Sequence, residues 1–468
     1  MKVLQTIADR AARRPAGRKP RLGWLGLVPV TGVLLAVVAA APAGAAEYSH
    51  TAARAPRATR HPAETGARGT LADAPAGLRA AVRAALGRPD APRGLAMRGS
   101  AGHGRAATSL VPADGQQDFF GFSVAVSGNT ALVGATTAHH HTGAAYVFIR
   151  GAQGWVQQAR LTAADAFPGD GFGNAVAIDG NTAVIGAVDR GLNALRTFHM
   201  IGGAYVFVRH GTTWSQQALL LPDSLDNVVG ESFGFSVGLS GQTLLVGAPG
   251  DSGEQGAVFE FTRTGTTWAP TAKFTGSNSV GFDTFGWSLA FSGNRAVVGA
   301  PQQDGFTGEA YIFSQSGTQF TEQAAVVGPQ RQTGDLFGRS VGLSGTTALI
   351  GAPGADAAYV FVQTGSRWIR QAALTPAGSR PVGGIGQDAV AVSGNIAVAG
   401  ADFASNAAGA AYEFVRTGTH WAQKAKFTDP AGARSDSLGR SVAIAGTTTL
   451  VGVPGHNDLH GQVDLFRL

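Results

Sequence analysis

The chain has 468 residues, of which 68 are glycine and only 14% are charged, and it contains no cysteine. Disulfide staples, thiolate metal sites and lipidation of a cysteine behind a signal segment are thereby excluded. The formal charge of +6 belongs to the N-terminus: residues 1–107 hold 17 Lys and Arg against 5 Asp and Glu, which leaves 19 against 25 in the rest. A mildly acidic body without a basic stripe offers no footprint for a phosphate backbone, so nucleic acid is not an expected partner. Many glycines with few charges point instead to tight turns between short apolar strands, an all-β composition.

Basic residues (Arg10, Arg13, Arg14, Arg18, Lys19, Arg21) precede an apolar run from Leu22 to Ala41, and small residues follow at Ala43-Gly44-Ala45. This layout makes residues 1–46 a secretory signal with cleavage after Ala45 or Ala46. The run is nearly long enough to span a bilayer, so an uncleaved anchor is the competing reading, against which Gly23, Gly26 and Pro29 dilute the run. Cleavage implies a secreted or cell-surface protein with no membrane insertion of the mature chain. Residues 47–106 are rich in Ala, Arg, Pro and Gly and nearly free of β-branched and aromatic residues. Such a segment buries too little surface to offset its ordering entropy and reads as a disordered linker.

Residues 107–468 repeat themselves. One unit runs FGFSVAVSGNTALVGA (Phe120 to Ala135), then a loop, then GAAYVF (Gly143 to Phe148), then GWVQQARL (Gly154 to Leu161). A Phe-Gly-like pair recurs at Phe120-Gly121, Phe172-Gly173, Phe233-Gly234, Phe285-Gly286, Phe337-Gly338, Ile385-Gly386 and Leu438-Gly439. Gly-Ala-Pro follows in step, complete at Gly247-Ala248-Pro249, Gly299-Ala300-Pro301 and Gly351-Ala352-Pro353. Each unit holds four short β-type runs joined by turn chemistry, a four-stranded antiparallel sheet that cannot bury both faces alone. Seven such sheets at a period near ~50 residues predict a seven-bladed β-propeller. The last unit stops after its third strand at Phe466, and Ala107-Thr108-Ser109-Leu110 resembles a regular fourth strand. The N-terminal segment is therefore expected to complete the last blade and close the ring.

These Phe-Gly and Gly-Ala-Pro elements, followed by Gly-x-Ala-Tyr-Val-Phe, resemble the FG-GAP repeat family, which includes the β-propellers of integrin α chains and many bacterial exported proteins. The resemblance implies architecture rather than activity, since propellers host binding proteins and enzymes alike. Calcium-binding copies in that family carry an Asp-rich loop between the Phe-Gly and Gly-Ala-Pro strands. Here the place is taken by turns such as Ser127-Gly128-Asn129 and Asp179-Gly180-Asn181, and one Asp cannot supply the oxygens Ca²⁺ needs. No calcium site, other metal site or cofactor is expected.

Acids recur two residues before the Phe-Gly-like pair (Asp118, Asp170, Glu231, Asp283, Asp335, Asp436) and after the Gly-Ala-Pro element (Asp189, Asp251, Asp304, Asp356, Asp402, Asp458). Repetition in nearly every blade assigns them to hydrogen bonds with turn backbone. The tryptophans of the third hairpin read as strand-packing residues. Departures from the repeat are the better functional signal. The connection from the second to the third strand and the connection to the next blade open on one face, because strand direction alternates. In blade two the first of these, Val188 to Ile201, is the longest of its kind and holds Asp189, Arg190, Arg196, Phe198 and His199. The next inter-blade connection, Pro222 to Ser232, holds Asp223, Asp226 and Glu231, and His139-His140-His141 lies in the corresponding loop of blade one. Together these residues form the candidate ligand-binding patch. No catalytic constellation stands out.

The expected function is that of an exported, monomeric, non-enzymatic binding module presenting a loop-rich face to an extracellular protein or glycan. A polysaccharide-acting propeller enzyme, lyase or hydrolase, and a structural surface protein are the alternatives. An enzyme would gather perturbed titratable groups in one axial funnel, whereas a binder would expose aromatic or arginine side chains on the rim.

Overall fold

The structure is a computed structural model that describes residues 102–104, 106, 108–115, 118–191, 201–222, 231–377, 383–430 and 432–467. The secretory signal and nearly all of the linker expected from the sequence lie outside these residues. Among the described residues, no helix is long and apolar enough to cross a membrane.

The repeat folds as seven antiparallel sheets arranged as a seven-bladed β-propeller. In blade one the strands are Phe120–Ser127, Thr130–Ala135, Ala144–Gly151 and Gly154–Leu161, paired in chain order. Blades two to six repeat this order. In blades one and two the first strands are rich in small residues and mostly half-buried, as expected where seven of them crowd an axis. In blades one to six the pairing of third and fourth strands carries a bulge, as between Val147 and Phe148, which adds twist at the outer edge.

The core lies in the seams between blades. Each Phe of the Phe-Gly pairs is buried, and Phe120 packs edge-on against Tyr146 at 5.4 Å and Phe148 at 5.8 Å. The same cluster takes in Leu450, Val463 and Leu465 of blade seven, so the ring spans two blades. Burial of one such side chain is worth about 1.5–3 kcal/mol. Glycine is required at the seam because the backbones nearly touch: Gly143 has φ +82, and a Cβ there would stand 2.0 Å from the carbonyl oxygen of Phe172. Serines add polar stitches from one blade to the next. Ser123, Ser236, Ser288 and Ser340 each donate to the carbonyl of the glycine in the next Phe-Gly pair, and Ser441 of blade seven donates to Gly121 of blade one at 2.8 Å. Asp179, the lone acid among the first hairpin turns, accepts the Gly241 N–H of the following blade at 2.7 Å.

Blade seven consists of Val442–Ala445, Thr448–Val453, Gln462–Arg467 and the N-terminal strand Thr108–Leu110. The last pairing is antiparallel, with Thr108 opposite Leu465 and Leu110 opposite Val463. Ring closure by Thr108–Leu110 is thus observed. Gly102–Gly104, which the sequence assigned to the linker, instead adds a fifth strand to blade six, parallel to the strand His420–Phe427.

Candidate functional site

The connections from second to third strands and those between blades meet on one face. In blade two their ends are tied together: Gly202 N–H donates to the Arg190 carbonyl at 2.9 Å and Phe233 N–H to the Ile201 carbonyl at 3.0 Å. The two extended connections of the expected patch therefore start side by side. Arg190 donates through Nε to the Tyr205 hydroxyl at 3.0 Å and through Nη2 to Asp165 at 2.9 Å, while the Tyr205 hydroxyl donates to Asp165 at 2.7 Å. Asp189 is half-buried, and burial, with the nearby Asp170 carboxylate second, pushes its carboxyl up to about 6. Glu231 is buried. His141 is exposed, and its carbonyl accepts the Gly169 N–H at 2.7 Å. His139 and His140 belong to the same short turn, Ala138–His141. Arg196, Phe198, His199, Asp223 and Asp226 lie outside the described residues.

The recurring acid before the Phe-Gly pair does the backbone work expected of it. Asp170, Asp283, Asp335 and Asp436 each accept the N–H three residues earlier, at 2.6 to 2.9 Å. The acids after Gly-Ala-Pro do not share one role. Asp251 is buried against Lys273 at 2.8 Å, Asp304 makes an exposed ion pair with Arg331, and Asp356 accepts the Gly384 N–H. Asp402 turns toward the axis. Trp214, Trp268 and Trp421 donate their indole N–H to glutamines of the preceding blade, consistent with packing.

An axial mouth is the feature that sequence reasoning missed. The residue that follows each Phe-Gly pair stands at the head of an innermost strand, and several of these residues touch the one in the neighbouring blade. Asn174 donates to the Phe235 carbonyl at 3.0 Å, and Phe235 packs on Trp287 at 4.5 Å. Arg339 stacks over Trp287 at 4.4 Å, and Arg440 over Phe122 at 4.5 Å. Asp388 bridges the two arginines, 2.5 Å from Arg440 and 3.7 Å from Arg339. Asp402 lies 3.9 Å from Arg440, almost fully buried, and burial with Asp388 nearby holds its carboxyl well above the usual range. Burial also lowers Arg339. The readable signal was one column of the repeat, Phe122, Asn174, Phe235, Trp287, Arg339, Gln387 and Arg440, varied inside a constant frame.

The loop connections carry exposed apolar groups as well. Of the ten large hydrophobics that stand exposed among the described residues, eight (Val111, Phe167, Leu221, Val280, Phe282, Phe306, Phe403 and Leu459) lie on connections of this face. Phe282 is 69% exposed and both it and Phe306 adopt positive φ, at 74° and 69°. Bulky side chains rarely hold that backbone region.

Fold and site thus define a closed propeller whose one loop-rich face surrounds a charged and aromatic mouth. The FG-GAP repeat model matches residues 106–148, 155–207, 214–261, 268–313, 320–362 and 421–464, more than half of the chain, which therefore belongs to the FG-GAP repeat family. The stretch between residues 362 and 421, left unmatched, contains Ile385-Gly386, Asp388 and Asp402. No curated protein matches the chain. Among solved structures, Saccharomyces cerevisiae Sqt1 is similar at 10% identity and a TM-score of 0.45, over 78% of this chain and 99% of that one.

Proposed function

We propose that the propeller is an exported, monomeric, non-enzymatic binding module that presents its loop-rich face to an extracellular protein or glycan. The observation that carries this reading is the concentration of exposed apolar side chains on that face, with four phenylalanines among them. Aromatic groups held on short connections of a rigid frame supply contact area at little entropic cost, to a sugar ring or to an apolar pocket alike. Asp189 and Arg190 of the blade-two connection, half-buried, and the exposed His141 of blade one add polar groups to the same surface.

The test is an array of glycans and extracellular polymers, probed with the full chain, with a Phe282→Ser/Phe306→Ser variant, and with the connection from Arg190 to His199 shortened. Binding that survives both changes would overturn the assignment to this face. A second reading, an enzyme acting on polysaccharide, draws on the Asp388 and Asp402 carboxyls at the axial mouth. Both already face Arg440, an arrangement better suited to holding the mouth shut than to acid and base work on a sugar. Polysaccharide cleavage abolished by Asp388→Asn would reverse that preference.

A further inference from the structure

One position of the third strand is a tyrosine in five blades: Tyr146, Tyr205, Tyr311, Tyr359 and Tyr412. In blades one, two and four its hydroxyl donates to the connection that enters the blade. Tyr146 reaches Asp114 at 2.8 Å and Asp118 at 2.9 Å, Tyr205 reaches Asp165 at 2.7 Å, and Tyr311 reaches Asn278 at 2.7 Å. Blade seven breaks the pattern at two places at once. The tyrosine position is Asp464, buried and bonded to Ser109 at 2.6 Å and Gln462 at 2.9 Å. Two residues beyond the Gly-Ala-Pro element, where blades one to six have Ala138, Arg190, Asp251, Gln303, Ala355 and Ala404, blade seven has His456.

His456 comes from the connection between second and third strands and meets Asp429 and Asp436 from the connection entering the blade. Its Nδ1 is buried and makes no hydrogen bond, yet stands 3.6 Å from Asp429 Oδ2 and 3.5 Å from Asp436 Oδ2. Asp436 is almost fully buried. A charged N–H to carboxylate contact closes to about 2.7–2.9 Å. Ligands about 2.1 Å from a tetrahedral ion lie instead about 3.4 Å from one another. The three donor atoms fall within 4.8 Å of each other, a span that modest side-chain rotation closes onto one ion. One imidazole nitrogen with two carboxylate oxygens is a borderline donor set, suited to zinc and its first-row neighbours, whereas Ca²⁺ and Mg²⁺ take oxygen.

We propose that Asp429, Asp436 and His456 form a binding site for a divalent first-row transition-metal ion of the zinc class, on the loop-rich face of blade seven. The ion ties the connection entering the blade to the loop above its third strand, beside the strand pair that closes the ring. It takes the place of the hydroxyl that bonds to both of these segments in blades two and four.

The test uses the full chain stripped with a chelator and titrated with Zn²⁺ by calorimetry, with Co²⁺ absorption as the report of a four-coordinate site. A background variant, His139→Ala/His140→Ala/His141→Ala, removes the competing imidazoles of blade one. In that background a single equivalent of Zn²⁺ should bind and raise Tm, and His456→Ala should weaken it about tenfold or more. Asp429→Asn carries the same expectation with an isosteric change, should His456→Ala lose native circular dichroism. Absence of saturable Zn²⁺ binding in the background variant overturns the proposal, as does binding that neither substitution alters.

Discussion

Blades one and seven fold the same backbone around the same corner and settle its charge in different ways. In blade one Tyr146 lies between Asp114 and Asp118 and donates to both. In blade seven Asp464 stands at that position, so three carboxyls and His456 share a corner that in five other blades holds a phenol. The frame tolerates the exchange because the seam glycines and buried Phe rings, not the corner, set the blade positions. What is uniform around the ring carries the fold, and what changes at a fixed position is free to carry chemistry.

The largest expected effect comes from removing what blade seven alone depends on. Deleting residues 104–112 takes away the strand opposite Gln462–Arg467 and exposes the Val463 and Leu465 neighbourhood. Urea denaturation should show a loss on the order of 5 kcal/mol. A deletion variant that unfolds with the parent would mean that the ring does not close through this strand.

The seams, by contrast, should behave alike in both blades. An added Cβ would lie 2.0 Å from the Phe172 carbonyl oxygen at Gly143, and 2.1 Å from that of Phe120 at Gly461. Gly143→Ala and Gly461→Ala should each cost about 3 kcal/mol or more. At Gly128, with φ +56 but open space around it, alanine should cost only about 1 kcal/mol. Unequal losses at the first two sites would show that the seams are not equivalent.

Tyr146→Phe sharpens the comparison at the corner itself, because it leaves two carboxylates of blade one without their shared donor. A loss of about 2 kcal/mol is expected, and an unchanged midpoint would mean that the hydroxyl is dispensable there too. The smallest effect concerns blade two. Asp189 titrates near 6 in the folded chain against 3.8 in the open chain, so the folded state holds its proton more tightly. Stability is then greatest below pH ~4 and declines as pH rises through about 6. Asp189→Asn should remove that decline and gain on the order of 1–2 kcal/mol at pH 7. Parallel pH profiles for the two proteins would contradict the burial of this carboxyl.

The architecture was legible because it is written seven times. Phe120-Gly121 and its copies mark each seam, and the missing fourth strand after Phe466 pointed to Thr108–Leu110. The added strand at Gly102–Gly104 was not legible, since three residues paired through backbone alone leave no side-chain pattern. Arg190 and Asp189 could be found from the length of their connection, but the partnership of Arg190 with Tyr205 and Asp165 joins three separate segments. The axial mouth escaped for a related reason. Its residues are spaced about one blade apart, and Trp287 or Arg339 read singly is an ordinary variation in a strand. Asp436 was recognised only in its backbone role, which it shares with Asp170 and Asp283. That His456 would face it depends on a loop crossing that no local spacing reports.

The closing strand has a mechanical consequence. Thr108 pairs with Leu465 and Leu110 with Val463, so the chain enters this strand and leaves its partner at the same end of the pair. Tension applied between the two chain ends would load these bonds one after another, as a zipper opens, rather than all together in shear. On the N-terminal side the parallel pairing of Gly102–Gly104 with blade six stands ahead of this zipper and takes the load before it does.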